Sequence, residues 1–240
     1  MSHDHRRHLP SGRRSLDHVA MRVVDRDAFT EELLEAFELR VIERTERFTL
    51  IGPDFEHGKI TLLDAETASP PEAQQLVSLV FAEHPDADDA TPRVLSNGVV
   101  VTFQSTADLG EAGQLIPRHS LVGVVLRSTD PERAGSDFAN EQGMHVRSEA
   151  PDVVTVEVGA GASDGLITLL RTAGEPTAGP DPLDHLGVLV EDAIAWRDAL
   201  GADGGVIDRW VEAPHSRAVF VPGPDGVTVE FVEQLAPMGV

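Results

Sequence analysis

The tripeptide Leu16-Asp17-His18 returns as Leu183-Asp184-His185, and in each copy an aspartate follows the histidine by seven residues, at Asp25 and Asp192. This repeat constrains the fold more than composition does, because two distant segments must share one local design. From Leu16 the pattern predicts a strand over 16–24 and a helix over 26–38 with Phe29, Leu33, Leu34 and Phe37 on one face. Strands follow at 39–44, 47–52 and 58–64. The same order is expected at the far end: a strand over 183–191, a helix over 193–200, then strands at 204–211, 216–222 and 226–233. There Gly201 stops the helix and Pro224-Asp225-Gly226 makes the last turn.

Two weaker copies lie between. One runs from Leu121 through Asp130-Pro131-Glu132, a helix to Gln142, and strands ending at Gly165–Leu170. The other starts at Gln75–Val80 and ends at Asn97–Phe103, shortened, with Asp86, Asp88 and Asp89 in a loop. Four βαβββ-type units joined by Pro- and Gly-rich connectors at 105–118 and 173–182 argue for internal duplication in an α+β chain. Residues 1–15, with His3, His5 and His8, show no periodicity and read as a disordered tail.

The final strand carries a chemical clue. Alternation sends Val227, Val229 and Phe231 to one face and Thr228 and Glu230 to the other, so a carboxylate and two histidines can face one cavity. Two imidazoles and one carboxylate suit a divalent iron, manganese or zinc ion with open coordination positions. A plainer reading satisfies His18 and His185 with backbone carbonyls at strand ends. A carboxylate left unpaired in such a strand would be expensive, so Glu230 needs a metal or an arginine.

Leu-Asp-His before a strand, Asp130-Pro131-Glu132-Arg133-Ala134 before a helix and Gly223–Phe231 closing the last unit resemble the vicinal oxygen chelate superfamily over about 16–234. Its members include glyoxalase I, bleomycin-resistance proteins, methylmalonyl-CoA epimerase and extradiol dioxygenases. The resemblance implies two cupped, barrel-like mixed sheets with flanking helices, built from module pairs at 16–110 and 117–235, the second module being shortened. It places first-strand sites at His18, Gln75, Gly123 and His185, and last-strand sites at Leu62, Thr102, Leu169 and Glu230.

If modules one and four share a cup, His18, His185 and Glu230 form the two-His, one-Glu set of extradiol dioxygenases, with Fe(II) first and Mn(II) or Zn(II) as substitutes. If consecutive modules pair, that triad does not exist. The resemblance further implies a small oxygen-chelating substrate, His215 as an acid-base group beside it, and a monomer or homodimer. A glyoxalase- or epimerase-like lyase or isomerase would recruit a fourth ligand such as Glu56 or Asp64. A metal-free drug or metabolite binder of the bleomycin-resistance type would need no ion. The chain has no tyrosine, a residue that extradiol enzymes commonly place beside the metal. Trp196 and Trp210 read as core, while His57, His84, His119 and His145 lack ligand spacing.

Composition narrows partners and setting. The 41% hydrophobic content of 240 residues can fill a substantial core, and no apolar run reaches the roughly 20 residues of a membrane span. The start has no apolar signal core, so a cytoplasmic location is expected. Without cysteine, any metal must be held by His, Asp or Glu. A net charge of −22 argues against nucleic acid as partner. Lys59 is the sole lysine among the basic residues, and such an acidic surface points to a salt-rich cytoplasm, where screening relieves self-repulsion. The melting temperature should therefore climb steeply with salt; a flat dependence would refute that reading.

Overall fold

The computed structural model describes residues 9–68, 70, 74–85, 91–173, 182–202 and 204–235. The first unit comprises β1 (Arg14–Val23), α1 (Arg26–Ala36), β2 (Arg40–Arg44), β3 (Phe48–Gly52) and β4 (Lys59–Asp64). The second keeps β5 (Leu76–Glu83), β6 (Arg93–Val94) and β7 (Val100–Ser105). The third has β8 (Leu121–Ser128), α2 (Pro131–Gln142), β9 (His145–Ala150), β10 (Val153–Glu157) and β11 (Leu166–Arg171). The fourth has β12 (Leu183–Val190), α3 (Ala193–Ala202), β13 (Arg209–Ala213), β14 (Ser216–Pro222) and β15 (Thr228–Gln234).

The recurring aspartates are helix caps. The side chain of Asp25 accepts from Ala28 N at 3.0 Å, that of Asp192 from Ala195 N at 2.9 Å and that of Asp130 from Arg133 N at 3.2 Å. Each satisfies a backbone donor that the first helical turn leaves without an internal partner. Pro131 at the start of α2 and Gly143, left-handed at φ 69°, mark that helix's two ends.

Two mixed sheets result, with strand orders β13-β14-β15-β12-β1-β4-β3-β2 and β6-β7-β5-β8-β11-β10-β9. The first unit therefore pairs with the fourth, and the second with the third. The division at 16–110 and 117–235 does not coincide with the sheets, because β1 pairs with β12 antiparallel and β5 with β8. Each seam joins first strands, and each module's last strand lies parallel beside its own first strand, as β4 does beside β1 and β15 beside β12.

One face of each sheet, with the three helices, enters a single apolar core that includes Phe29, Leu33, Phe81, Phe138, Trp196 and Phe231. Trp196 stacks on Phe231 with centroids 4.3 Å apart, so the expected core role of Trp196 holds, and Trp210 packs against the same core partly buried. The opposite faces differ. On the seven-stranded sheet Leu109 and Ile116, from the connector at 105–118, cluster with Val80, Ala82, Val122 and Leu166, so that cup is filled by the chain itself. On the eight-stranded sheet a separate cluster of Val211, Ala218, Phe220 and Val232 forms an apolar wall.

Two local expectations change. The expected tail ends earlier than 15: Leu9 packs against the core, Arg14 opens β1 and donates to the carbonyl of Gly143, and residues 1–8 lie outside the described set. The strand expected at 204–211 begins only at Arg209, because Gly204, at φ 73°, and Gly205 interrupt extended pairing. Asp86, Asp88 and Asp89 lie outside the described residues, as does most of the connector at 173–182.

The two sheets touch at Gly58, whose carbonyl accepts from Leu121 N at 3.0 Å and where a Cβ would stand 1.9 Å from the Leu121 carbonyl oxygen. Gly58→Ala must push β8 away. It should destabilise the protein by about 1–3 kcal/mol, whereas Gly161→Ala, with nothing within 4 Å of its added Cβ, should have little effect. Chemical denaturation of both variants measures the difference.

Candidate metal centre

The β1–β12 seam sets the site. Its register pairs His18 with Gly187 and Ala20 with His185, and the parallel β12–β15 register pairs Gly187 with Glu230. His18, Gly187 and Glu230 thus form one row across three strands, and His185 lies two residues from Gly187 on the same face. Gly187 lets the row close: a Cβ there would sit 2.3 Å from His18 Cε1, so the His18 ring crosses over Gly187 toward Glu230.

His18 Nε2 and His185 Nε2 lie 3.0 and 3.1 Å from Glu230 Oε2, and 3.1 Å from each other. The rings meet edge to face at 84°. All three residues are buried, with 7–8% of their surface exposed. Behind them stands a second layer. His18 Nδ1 meets Asp17 Oδ2 at 2.8 Å, and His185 Nδ1 meets Asp184 Oδ1 at 2.6 Å. Lys59 Nζ donates to Asp17 Oδ1 at 2.8 Å and Gln234 Nε2 to the same oxygen at 3.3 Å, while Arg22 pairs with Asp184.

This layer shapes the charge. Burial by itself lowers the His18 pKa, but hydrogen bonds to Asp17 and Glu230 outweigh it and raise the value to about 9. Burial pulls the other way on the carboxylates and is again outweighed. The two imidazoles hold Glu230 far below the usual range, Lys59 and His18 hold Asp17 below it, and His185 with Arg22 does the same for Asp184.

The donor set fits a divalent ion. Three nitrogen or oxygen atoms 3.0–3.1 Å apart have the separation of adjacent donors around an ion with bonds of about 2.1 Å and near-right angles. Among the described residues, His18, His185 and Glu230 are the one group of three that could hold a metal. A cavity of about 210 Å³ opens elsewhere, beyond Arg22, between β1, α1 and the β6–β7 turn, and its lining does not include the triad. Among the described residues, three such donors converge at the triad and not in that cavity.

The other expected positions shift. Strand register places Thr61, Thr102 and Thr168 opposite the residues that correspond to Gly187, so Thr61 and Thr168, not Leu62 and Leu169, stand where Glu230 does. Leu62 and Leu169 instead point into the core. The counterpart of His185 in the second unit is Ser78, not Gln75, and its hydroxyl lies 3.1 Å from that of Thr102. Asp64 pairs with Arg26 near the surface and Glu56 is exposed, so neither joins the triad.

His215 sits exposed on the β13–β14 turn, and its carbonyl accepts from Leu235 N. Phe220, the residue of β14 paired with Glu230, lies about 16 Å farther along that strand. Besides His18, the ring that meets His185 is that of Phe220, with centroids 5.2 Å apart.

Sequence reading gave no role to Asp17, Asp184, Lys59 or Gly187. The signals were present: both aspartates sit inside the repeated tripeptide, Lys59 is the only lysine, and Gly187 follows His185 by two where Ala20 follows His18.

Paired βαβββ units around such a cup define the vicinal oxygen chelate fold, and comparison with known proteins agrees. No protein-family model matches the sequence, and no curated protein matches it. Solved structures do match. A Bacillus subtilis protein provisionally described as a dioxygenase aligns with a TM-score of 0.71 at 14% identity, over 96% of this chain and 87% of that one. Glyoxalase I from Zea mays aligns with a TM-score of 0.68 at 15% identity, over 92% of each chain. The chain has the fold of the vicinal oxygen chelate superfamily; identities this low establish architecture and not reaction.

A histidine with a raised pKa stabilises the fold while it is charged. In metal-free protein the His18 contribution is complete below its ordinary value of 6.5 and lost as pH rises through about 9. Its NMR titration should inflect near pH 9 and move down in Glu230→Gln; an inflection at or below pH 7 in the wild type would contradict the geometry.

Proposed function

We propose that this chain is a metal-dependent enzyme acting on a small molecule that chelates through two neighbouring oxygens, in the manner of an extradiol dioxygenase. One observation carries the reading: two imidazole nitrogens and one carboxylate oxygen converge within 3.0–3.1 Å on the face of the eight-stranded sheet away from the helices, and among the described residues no fourth carboxylate or imidazole joins them. Three protein donors leave coordination positions for substrate, as the two-His, one-carboxylate set does in non-haem iron oxygenases.

His18, His185 and Glu230 would hold the ion, Fe(II) by preference and Mn(II) or Zn(II) as substitutes. A bound divalent ion would act as a Lewis acid on the chelating oxygens, and iron would add redox chemistry with dioxygen. The chain's own groups prepare that chemistry. Asp17 and Asp184 accept from the Nδ1–H groups, which leaves both Nε2 atoms facing Glu230 and free, when deprotonated, to offer lone pairs to an ion held among the three. Phe220, Ala218, Val232 and Val211 offer an apolar wall for the body of the substrate and keep water from that side. The exposed position of His215 weakens its expected acid-base role.

A glyoxalase- or epimerase-like lyase or isomerase is the less supported reading, since Thr61 stands where a fourth carboxylate would be needed. A metal-free binder of the bleomycin-resistance type is the other outcome of the test.

Elemental analysis of protein prepared anaerobically should find about one divalent ion per chain, lost in His18→Ala and in Glu230→Ala without unfolding. Catechols supplied with oxygen should then be cleaved by the iron-loaded wild type. Absence of any ion after reconstitution would move the function to metal-free binding, and full metal retention in either variant would remove these residues from the site.

A further inference from the structure

We infer that Lys59 is a positioning residue for His18: its buried ammonium clamps Asp17, and Asp17 in turn fixes the imidazole that crosses Gly187. The inference rests on the metal-centre reading above and extends it to a residue outside the donor set. Lys59 is the one lysine in a chain with 41 acidic residues, and its side chain is 1% exposed. A lone lysine kept for solubility would lie at the surface. This one points inward from β4, beside β1, in the row that contains His18.

Its hydrogen bonds have one purpose. Nζ donates to Asp17 Oδ1 at 2.8 Å and to the Phe55 carbonyl at 2.9 Å, and lies 5.4 Å from the centre of the Phe55 ring. Asp17 uses its other oxygen on His18 Nδ1. The carbonyl of Phe55 anchors the ammonium to the β3–β4 loop, so Asp17 is held from behind while it holds the imidazole in front. A buried ion pair is weak evidence for stability and better evidence for geometry, since desolvation offsets much of its attraction.

The seam supplies an internal control. Across the seam, Arg22 of β1 pairs with Asp184 of β12 and so repeats the order cation, carboxylate, imidazole for His185, but the Arg22 side chain is 50% exposed. Solvent screens that pair, and an exposed cation adds little to orientation. The His18 arm is therefore fixed by a buried cation, whereas the His185 arm, itself buried, ends on a cation that solvent reaches.

The test uses Co(II) as probe, following affinity and the d–d absorption spectrum in Lys59→Met, Asp17→Asn, their double variant and Arg22→Ala. Loss of a partner behind a metal ligand should weaken Co(II) binding by about 10–100-fold in the first two variants. Arg22→Ala should weaken it by about fivefold or less. If Lys59 acts through Asp17, the double variant binds no more weakly than Asp17→Asn alone. Additive losses, or wild-type affinity and spectrum in Lys59→Met despite a lower melting temperature, would reduce Lys59 to a structural role and overturn the inference. Should Lys59→Met fail to fold, Lys59→Gln takes its place in the same single and double comparison. If wild-type protein binds no Co(II), the metal reading falls separately. The downfield Nδ1–H proton resonance of metal-free His18 then tests the clamp, which predicts its loss in Lys59→Met and its survival in Arg22→Ala.

Discussion

The antiparallel pairing of β1 with β12 is the interaction on which the rest depends. It joins the first unit to the fourth, sets His18 opposite Gly187, and lets the parallel β15 bring Glu230 into the same row. Side chains alternate across a strand, so a slip of one residue along this seam would turn one histidine into the core. The core resists such a slip: Val19 and Met21 on β1 and Leu186 and Val188 on β12 are each buried to within 1% on the helix side. Apolar packing on one face thus fixes the polar constellation on the other.

Much of this was legible in the sequence. Periodicity located β1, α1, β14 and α2 to within about two residues, because alternation and helical spacing are strong where one face is buried. The Leu-Asp-His repeat and Glu230 pointed to the residues that the fold brings together. What the sequence left open was which units share a sheet, since pairing of first strands is a matter of long-range register and leaves no local trace. Leu62 and Leu169 were each placed one residue from the register position, and Gln75 three residues from Ser78. Irregularities between Leu16 and His18 and between Leu76 and Ser78 explain why counting along the chain does not predict partners across strands. His215 was singled out by resemblance alone, and a turn residue cannot be aimed at a site without coordinates.

The two cups show how one architecture holds opposite outcomes. In the seven-stranded sheet the positions of the triad carry Gly123, Ser78 and Thr102, and the connector lays Leu109 and Ile116 over that face. In the eight-stranded sheet the same positions carry titratable groups whose charges are balanced behind them by Lys59 and Arg22. A cup lined by small and hydroxyl side chains gains by being filled, because apolar contacts replace water over its floor. A cup lined by buried carboxylates and imidazoles must keep partners for each of them, so covering it with apolar chain would be costly.

The seam also imposes an order on assembly. His18 and His185 are 167 residues apart, and Asp17 and Gln234 are 217 apart. The seven-stranded sheet draws on the middle of the chain and can close while the ribosome still holds the last unit. The eight-stranded sheet cannot, because β1 must wait for β12 and β15 to emerge. Until then β1 presents an unpaired edge with buried-type charges at Asp17 and His18, a state open to wrong strand partners. Closure of so long a loop is slow relative to local contacts, so the centre is completed late in folding, on a platform that the middle of the chain has already built.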